Sequence, residues 1–89
     1  MSQVHANPDD LRSFASRLQA CGEAIEEEAA STSAAFAALG DTWNDAKSVE
    51  FEEAFEELRD CIRRFTAACD EHVPYLHRLA DRLEEYANA

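Results

Sequence analysis

Apolar residues recur along this chain in steps of three and four. From Leu11 they run through Phe14, Leu18, Cys21 and Ile25, then past Ala29 to Phe36 and Leu39. That spacing predicts an amphipathic helix. Its start is marked by Asn7, a capping residue type, by Pro8 at the first helical position, and by Asp9 and Asp10 at the positive end of the dipole. Its end is marked by Gly40, expected in the left-handed αL conformation. Helix 1 is therefore predicted over about residues 8–39, roughly 48 Å at 1.5 Å per residue. Gly22 lies inside it and costs about 1 kcal/mol against alanine unless close packing compensates.

The second half of the chain keeps the same rhythm without a break. Phe51, Leu58, Phe65, His72, Leu79 and Tyr86 form one heptad row, and Phe55, Ile62, Cys69, Leu76 and Leu83 form the next. A shoulder row of Ala54, Cys61, Ala68 and Tyr75 widens the stripe. Three apolar rows in seven make a bundle face rather than a two-stranded seam. The opposite rows alternate in charge, as in Glu57, Arg64, Glu71, Arg78 and Glu85, and read as solvated. Helix 2 is predicted over about residues 45–86, with a kink near Pro74, whose ring removes a hydrogen bond to the carbonyl of Asp70.

The link at residues 40–44 is too short for anything but antiparallel neighbours. The predicted fold is a single all-α domain, an antiparallel two-helix hairpin over residues 1–89. Helix 1 is lined with alanine, which permits close approach but covers little of the wide stripe on helix 2. The uncovered strip exceeds the few hundred Å² usual on monomers. Covering it calls for a second hairpin, giving a four-helix bundle. The expected interface and core residues are Leu11, Phe14, Leu18, Ile25, Phe36, Phe51, Phe55, Leu58, Ile62, Phe65, His72, Leu76, Leu79, Leu83 and Tyr86.

Composition agrees with long helices: the 89 residues include only two Gly and two Pro. The net charge of −11, nineteen acids against eight bases, opposes nucleic-acid binding and adsorption to anionic lipid. No apolar run approaches a membrane span, and no Sec-type signal peptide is visible. The expected location is the cytoplasm before export, or outside the cell without a cleaved signal.

The residues that could carry chemistry are few. His5, His72 and His77 are the only imidazoles. His72 falls on the predicted seam and His77 on the solvated side, about 140° away, so they cannot share a metal. His72 reads as a core histidine, or as a switch that loosens a dimer below about pH 6. The glutamates at 26–28 and 52–57 lack the Glu-x-x-His spacing of a di-iron bundle. No Gly-rich phosphate loop occurs, and no base is arranged beside a nucleophile. The sequence therefore predicts no enzyme, no cofactor and no metal. Cys21 and Cys61 come roughly level if the hairpin folds about Thr42, which allows a bridge in principle.

The only tryptophan, Trp43, sits in the turn, within Leu39-Gly40-Asp41-Thr42-Trp43-Asn44-Asp45, and Phe51 and Phe55 follow it. Length, helix pattern and central tryptophan together resemble the WXG100 (ESAT-6-like) family over nearly the whole chain. The family motif is Trp-x-Gly, and here Trp43-Asn44-Asp45 replaces the glycine. Asn and Asp tolerate αL turn geometry better than other non-glycine residues. The resemblance implies two hairpins in a four-helix bundle, handled by type VII secretion. The implied partners are a second copy, another WXG100-like hairpin, the helical head of a larger effector, and a secretion ATPase. Many members end in a Tyr-x-x-x-Asp/Glu export signal. Here Tyr86 has only Ala87, Asn88 and Ala89 behind it, and Tyr75 has Leu79 at the fourth following position.

Trp43, Asn44 and Asp45 are accordingly the candidate recognition turn, with Trp43 also a cap on the bundle end. The alternatives are a structural needle or filament subunit, a non-secreted helical adaptor and a membrane-active hairpin. Needle-type turns are usually proline-rich, and Gly40-Asp41-Thr42-Trp43-Asn44-Asp45 has no proline.

Overall fold

The computed structural model describes residues 6–88. Helix α1 spans Pro8–Leu39, a short 3-10 turn spans Gly40–Thr42, and helix α2 spans Ala46–Asn88. The two helices lie antiparallel as one hairpin. Its principal extents are 66 × 25 × 14 Å and its radius of gyration is 19.6 Å. A compact chain of this length would have a radius near 12 Å. The molecule is a ribbon one helix thick, so a second layer that would enclose a core is missing from the single chain.

Local chemistry sets each boundary. The Asn7 side chain accepts hydrogen bonds from the backbone N–H groups of Asp9 at 2.8 Å and Asp10 at 3.3 Å, and Pro8 follows it. Asp9 and Asp10 occupy the first turn, where the dipole favours acids. At the other end Gly40 has φ 52° and ψ −128°. This corrects the αL expectation. The pair of angles belongs to the first central position of a type II′ turn, which only glycine adopts without strain. The Thr42 hydroxyl donates to the Leu39 carbonyl at 2.5 Å. Trp43 then runs extended, at φ −131° and ψ 98°, and redirects the chain.

The start of α2 holds a second correction. No non-glycine residue among those described has positive φ, so neither Asn44 nor Asp45 adopts αL geometry. Asp45 instead closes a reciprocal cap. Its carboxylate accepts from the Ser48 N–H at 2.9 Å, and the Asp45 N–H donates to Ser48 Oγ at 3.1 Å. Two helix-end donors are thereby satisfied together. Asp45 thus serves as a helix cap, a role that aspartate and glycine both fill. Helix α2 runs unbroken through Pro74.

The helices meet along a seam of small residues. Ala15 and Gly22 of α1 are buried, as are Ser48, Cys69 and Ala80 of α2. Leu11, Leu18, Ile25, Ala29 and Phe36 are half-buried on α1, and Phe51, Phe55, Ile62, Thr66, Val73, Leu76 and Leu83 on α2. The seam is therefore shifted by one row from the apolar stripe read in the sequence. It takes Thr66, Val73 and Ala80 as partners of the Phe55–Leu83 row. Leu58, Phe65, His72 and Tyr86, all of the outer row, lie exposed. His72 is thus not a core residue of the single hairpin, because its row turns away from α1.

Register is set by Gly22, which faces Cys69, and by Ser33, whose hydroxyl accepts from Arg59 Nη1 at 3.2 Å. Cys21 is then level with Asp70 rather than Cys61. The separation from Cys61 is about 13 Å of helix rise, beyond the ~7 Å reach of a disulfide. All three cysteines are free, Cys21 and Cys61 exposed and Cys69 buried. Burial pushes the Cys69 thiol up, with Cys21, Asp70 and Glu26 acting in the same direction. At the far end Arg12 clasps the two helices together, reaching Asp81 at 2.8 Å and Glu84 at 2.5 Å.

Candidate functional site

A ribbon has two faces, and here they differ. One carries a notch lined by Gln19, Gly22, Glu23, Glu26, Thr66, Cys69 and Asp70 together with Val73 and Pro74, and farther along it lie Arg59 and Arg63. That face is polar. The other holds an apolar groove of about 560 Å³. Ala24, Ile25, Ala29 and Thr32 form its α1 wall, and Phe55, Leu58, Cys61, Ile62 and Phe65 its α2 wall. Glu28 is the one charged residue in this lining.

The groove exists because the sequence pairs a ridge with a trough. The aromatic rings and most large apolar side chains come from α2, and apart from Ile25 and Glu28 the α1 wall is alanine and threonine. Leu58 is 50% exposed and Phe65 36% exposed. Phe14, Tyr75 and Tyr86 are also exposed large apolar side chains. Each Å² of such surface taken from water stabilises by about 25 cal/mol, so covering the strip is worth several kcal/mol. Among the described residues no cluster of His, Cys, Asp and Glu could hold a metal ion. Among the described residues no helix is long and apolar enough to cross a membrane.

At the turn end the rings gather. Trp43 lies edge-on to Phe36 of α1, centroids 5.9 Å apart and planes at 89°. It lies 5.9 Å from Phe51 of α2. Phe36 and Phe51 are 5.0 Å apart, and Phe51 stacks on Phe55 at 5.6 Å. Trp43 therefore ties both helices to the turn, half-buried by its neighbours and half open at the tip. Asn44 is exposed beside it, and Asp45 is committed to capping.

The candidate residues thus divide by place. Trp43, Phe36, Phe51 and Phe55 form the aromatic end. Leu11, Leu18, Ile25, Ile62, Leu76 and Leu83 serve the seam, and Leu79 is half-buried beside it. Phe14, Leu58, Phe65, His72 and Tyr86 are exposed. His77 is exposed, and His5 lies outside the described residues. Ala15 and Gly22 stand where the alanine lining and the close-packing condition put them, whereas sequence reading missed Thr66, Val73 and Ala80, because small and β-branched residues add little to an apolar stripe. The signal that could find them is a second small-residue row, read beside the large one.

Comparison with known proteins agrees with this geometry. The family described as "WXG100: Proteins of 100 residues with WXG" matches residues 3–86. No curated protein matches in sequence. Among solved structures, wild-type ESXB, a secreted protein from Bacillus anthracis str. Sterne, is similar at 15% identity and TM-score 0.77, over 96% of this chain and 99% of that one. One single-substitution variant of that protein is similar at 15% identity and TM-score 0.75, over 94% and 97%. Another is similar at 17% identity and TM-score 0.74, over 100% and 98%.

Proposed function

The chain belongs to the WXG100 family, a family of small non-enzymatic helical proteins, and from that premise we propose that it is a binding subunit of type VII secretion. It serves as a secreted substrate or as the small pairing partner of a larger secreted effector. Its mechanism is helix–helix association through the groove face. The turn carrying Trp43 and Asn44 is the element presented to the export machinery, including its ATPase.

One observation carries this reading: the face holding Leu58 and Phe65 is a continuous apolar surface in a molecule only 14 Å thick. A helical hairpin of matching length covers it by completing a four-helix bundle. The likeness to a secreted protein of the same fold supports export as the setting. The test is light scattering of the chain alone and mixed with hairpin proteins encoded beside it. Leu58→Glu is expected to abolish pairing while helicity by circular dichroism stays unchanged. A Leu58→Glu protein that still pairs like wild type rejects the groove as the interface.

A further inference from the structure

Pro74 lies inside α2 and has no N–H to donate, so the carbonyl of Asp70 loses its helical partner. At the same level α1 carries Gly22, which faces Cys69 and has no side chain to brace the interrupted turn. A notch of about 270 Å³ opens there, with Gly22, Cys69, Asp70, Val73 and Pro74 in its lining. We propose that this point is a hinge, and that residues 75–88 of α2 form a strap that leaves α1 as one unit and is latched by Arg12.

The two ends of the rod are held by different means. At the turn end the backbone itself joins the helices, and Phe36, Trp43, Phe51 and Phe55 pack as ring pairs. Among the described residues every ring pair lies at that end. Beyond the notch the seam rests on Leu76, Ala80 and Leu83 of α2 and on Leu11, Ala15 and Leu18 of α1. Ala15 and Ala80 are fully buried, but a methyl group removes little apolar area from water.

What remains is the latch. Among the described residues the ion pairs that cross between the helices are both made by Arg12, to Asp81 at 2.8 Å and to Glu84 at 2.5 Å. Both carboxylates lie on the strap, so one α1 side chain restrains the whole segment. Local opening takes contiguous units with few buried apolar contacts. Parting α2 at Pro74 also breaks one backbone hydrogen bond fewer than parting it elsewhere. The rod therefore opens from its free end alone. Residues 75–88 come away as a lone amphipathic helix while the tip around Trp43 stays assembled.

The test is native-state hydrogen exchange on the full chain, read amide by amide. In wild type, residues 75–88 are expected to share one protection factor, with a step to higher protection on the turn side of Pro74. Arg12→Gln is expected to lower the shared value about three- to tenfold, the worth of two partly exposed ion pairs, and to leave residues 46–69 unchanged. The double variant Asp81→Asn, Glu84→Gln is expected to do the same without touching α1. Pro74→Ala, which restores the missing N–H, is expected to erase the step. Protection that grades smoothly back from Asn88 with no step at Pro74 is ordinary end fraying and overturns the hinge. Arg12→Gln and the double variant both leaving the strap as protected as in wild type, or lowering protection equally on the two sides of Pro74, overturns the latch.

Discussion

A methyl group placed on Gly22 would lie 3.4 Å from the sulfur of Cys69 and 3.8 Å from its Cβ. The helices therefore approach at ordinary van der Waals distance, with room for one methyl and no more. Gly22→Ala is expected to raise stability by about 0.5–1 kcal/mol, the helix-propensity gain, because nothing has to move. Gly22→Leu is expected to lower it by about 1–3 kcal/mol, since overpacking pushes the rods apart. Urea unfolding of the three proteins checks both signs.

Asp45 is expected to matter as a cap and not as a turn residue. Asp45→Ala should lower stability by about 1 kcal/mol, whereas Asp45→Gly, which restores Trp-x-Gly, should lower it by only a few tenths. Equal losses for the two substitutions would show that the reciprocal bond to Ser48 contributes nothing.

Trp43 is the only tryptophan, so its fluorescence reports on the aromatic end alone. Phe36→Ala removes the edge-on neighbour and is expected to shift the emission to the red while helical content holds. Trp43→Ala removes two ring pairs, each worth about 0.5–1.5 kcal/mol, and under the proposed role of the turn it is expected to leave a folded hairpin that is no longer exported. Loss of the helical signal in Trp43→Ala would reduce the ring to a structural role.

Thiol labelling should separate the cysteines into two fast sites and one slow site. Cys21 and Cys61 are exposed and Cys69 is buried. The Cys69 thiol ionises above its ordinary range because of burial first and nearby acidic groups second. Its folded value lies above its unfolded one. The associated stability is present below the ordinary thiol value of about 8.5 and is lost as pH rises through the folded value. Chemical unfolding followed from pH 7 to 10 is expected to decline over that interval in wild type, and less in Cys69→Ala.

Helix existence, the antiparallel hairpin and the Asn7 cap were legible from spacing and residue type alone. The seam was read one row off. Large residues dominate an apolar stripe, and Leu58, Phe65 and His72 outweigh Thr66, Val73 and Ala80 on any such scale. Yet two helices without a third layer approach most closely over their smallest residues, so Gly22 and Ala15 face α2 while Leu58 and Phe65 turn outward. The Cys21–Cys61 pairing failed for a related reason. A fold point was assumed at Thr42, but the extended Trp43 and the capped start at Asp45 shift the register.

The thinness of the ribbon has a mechanical corollary. A slat 25 Å broad and 14 Å deep fits edgewise through a slit, but stacking two such slats yields a column of nearly equal sides. Any conduit that passes the mated form intact must therefore be about twice as roomy in one direction as a conduit for the bare strip. Mating would thus set the bore of any channel that carried the pair, before any contact with its walls is made.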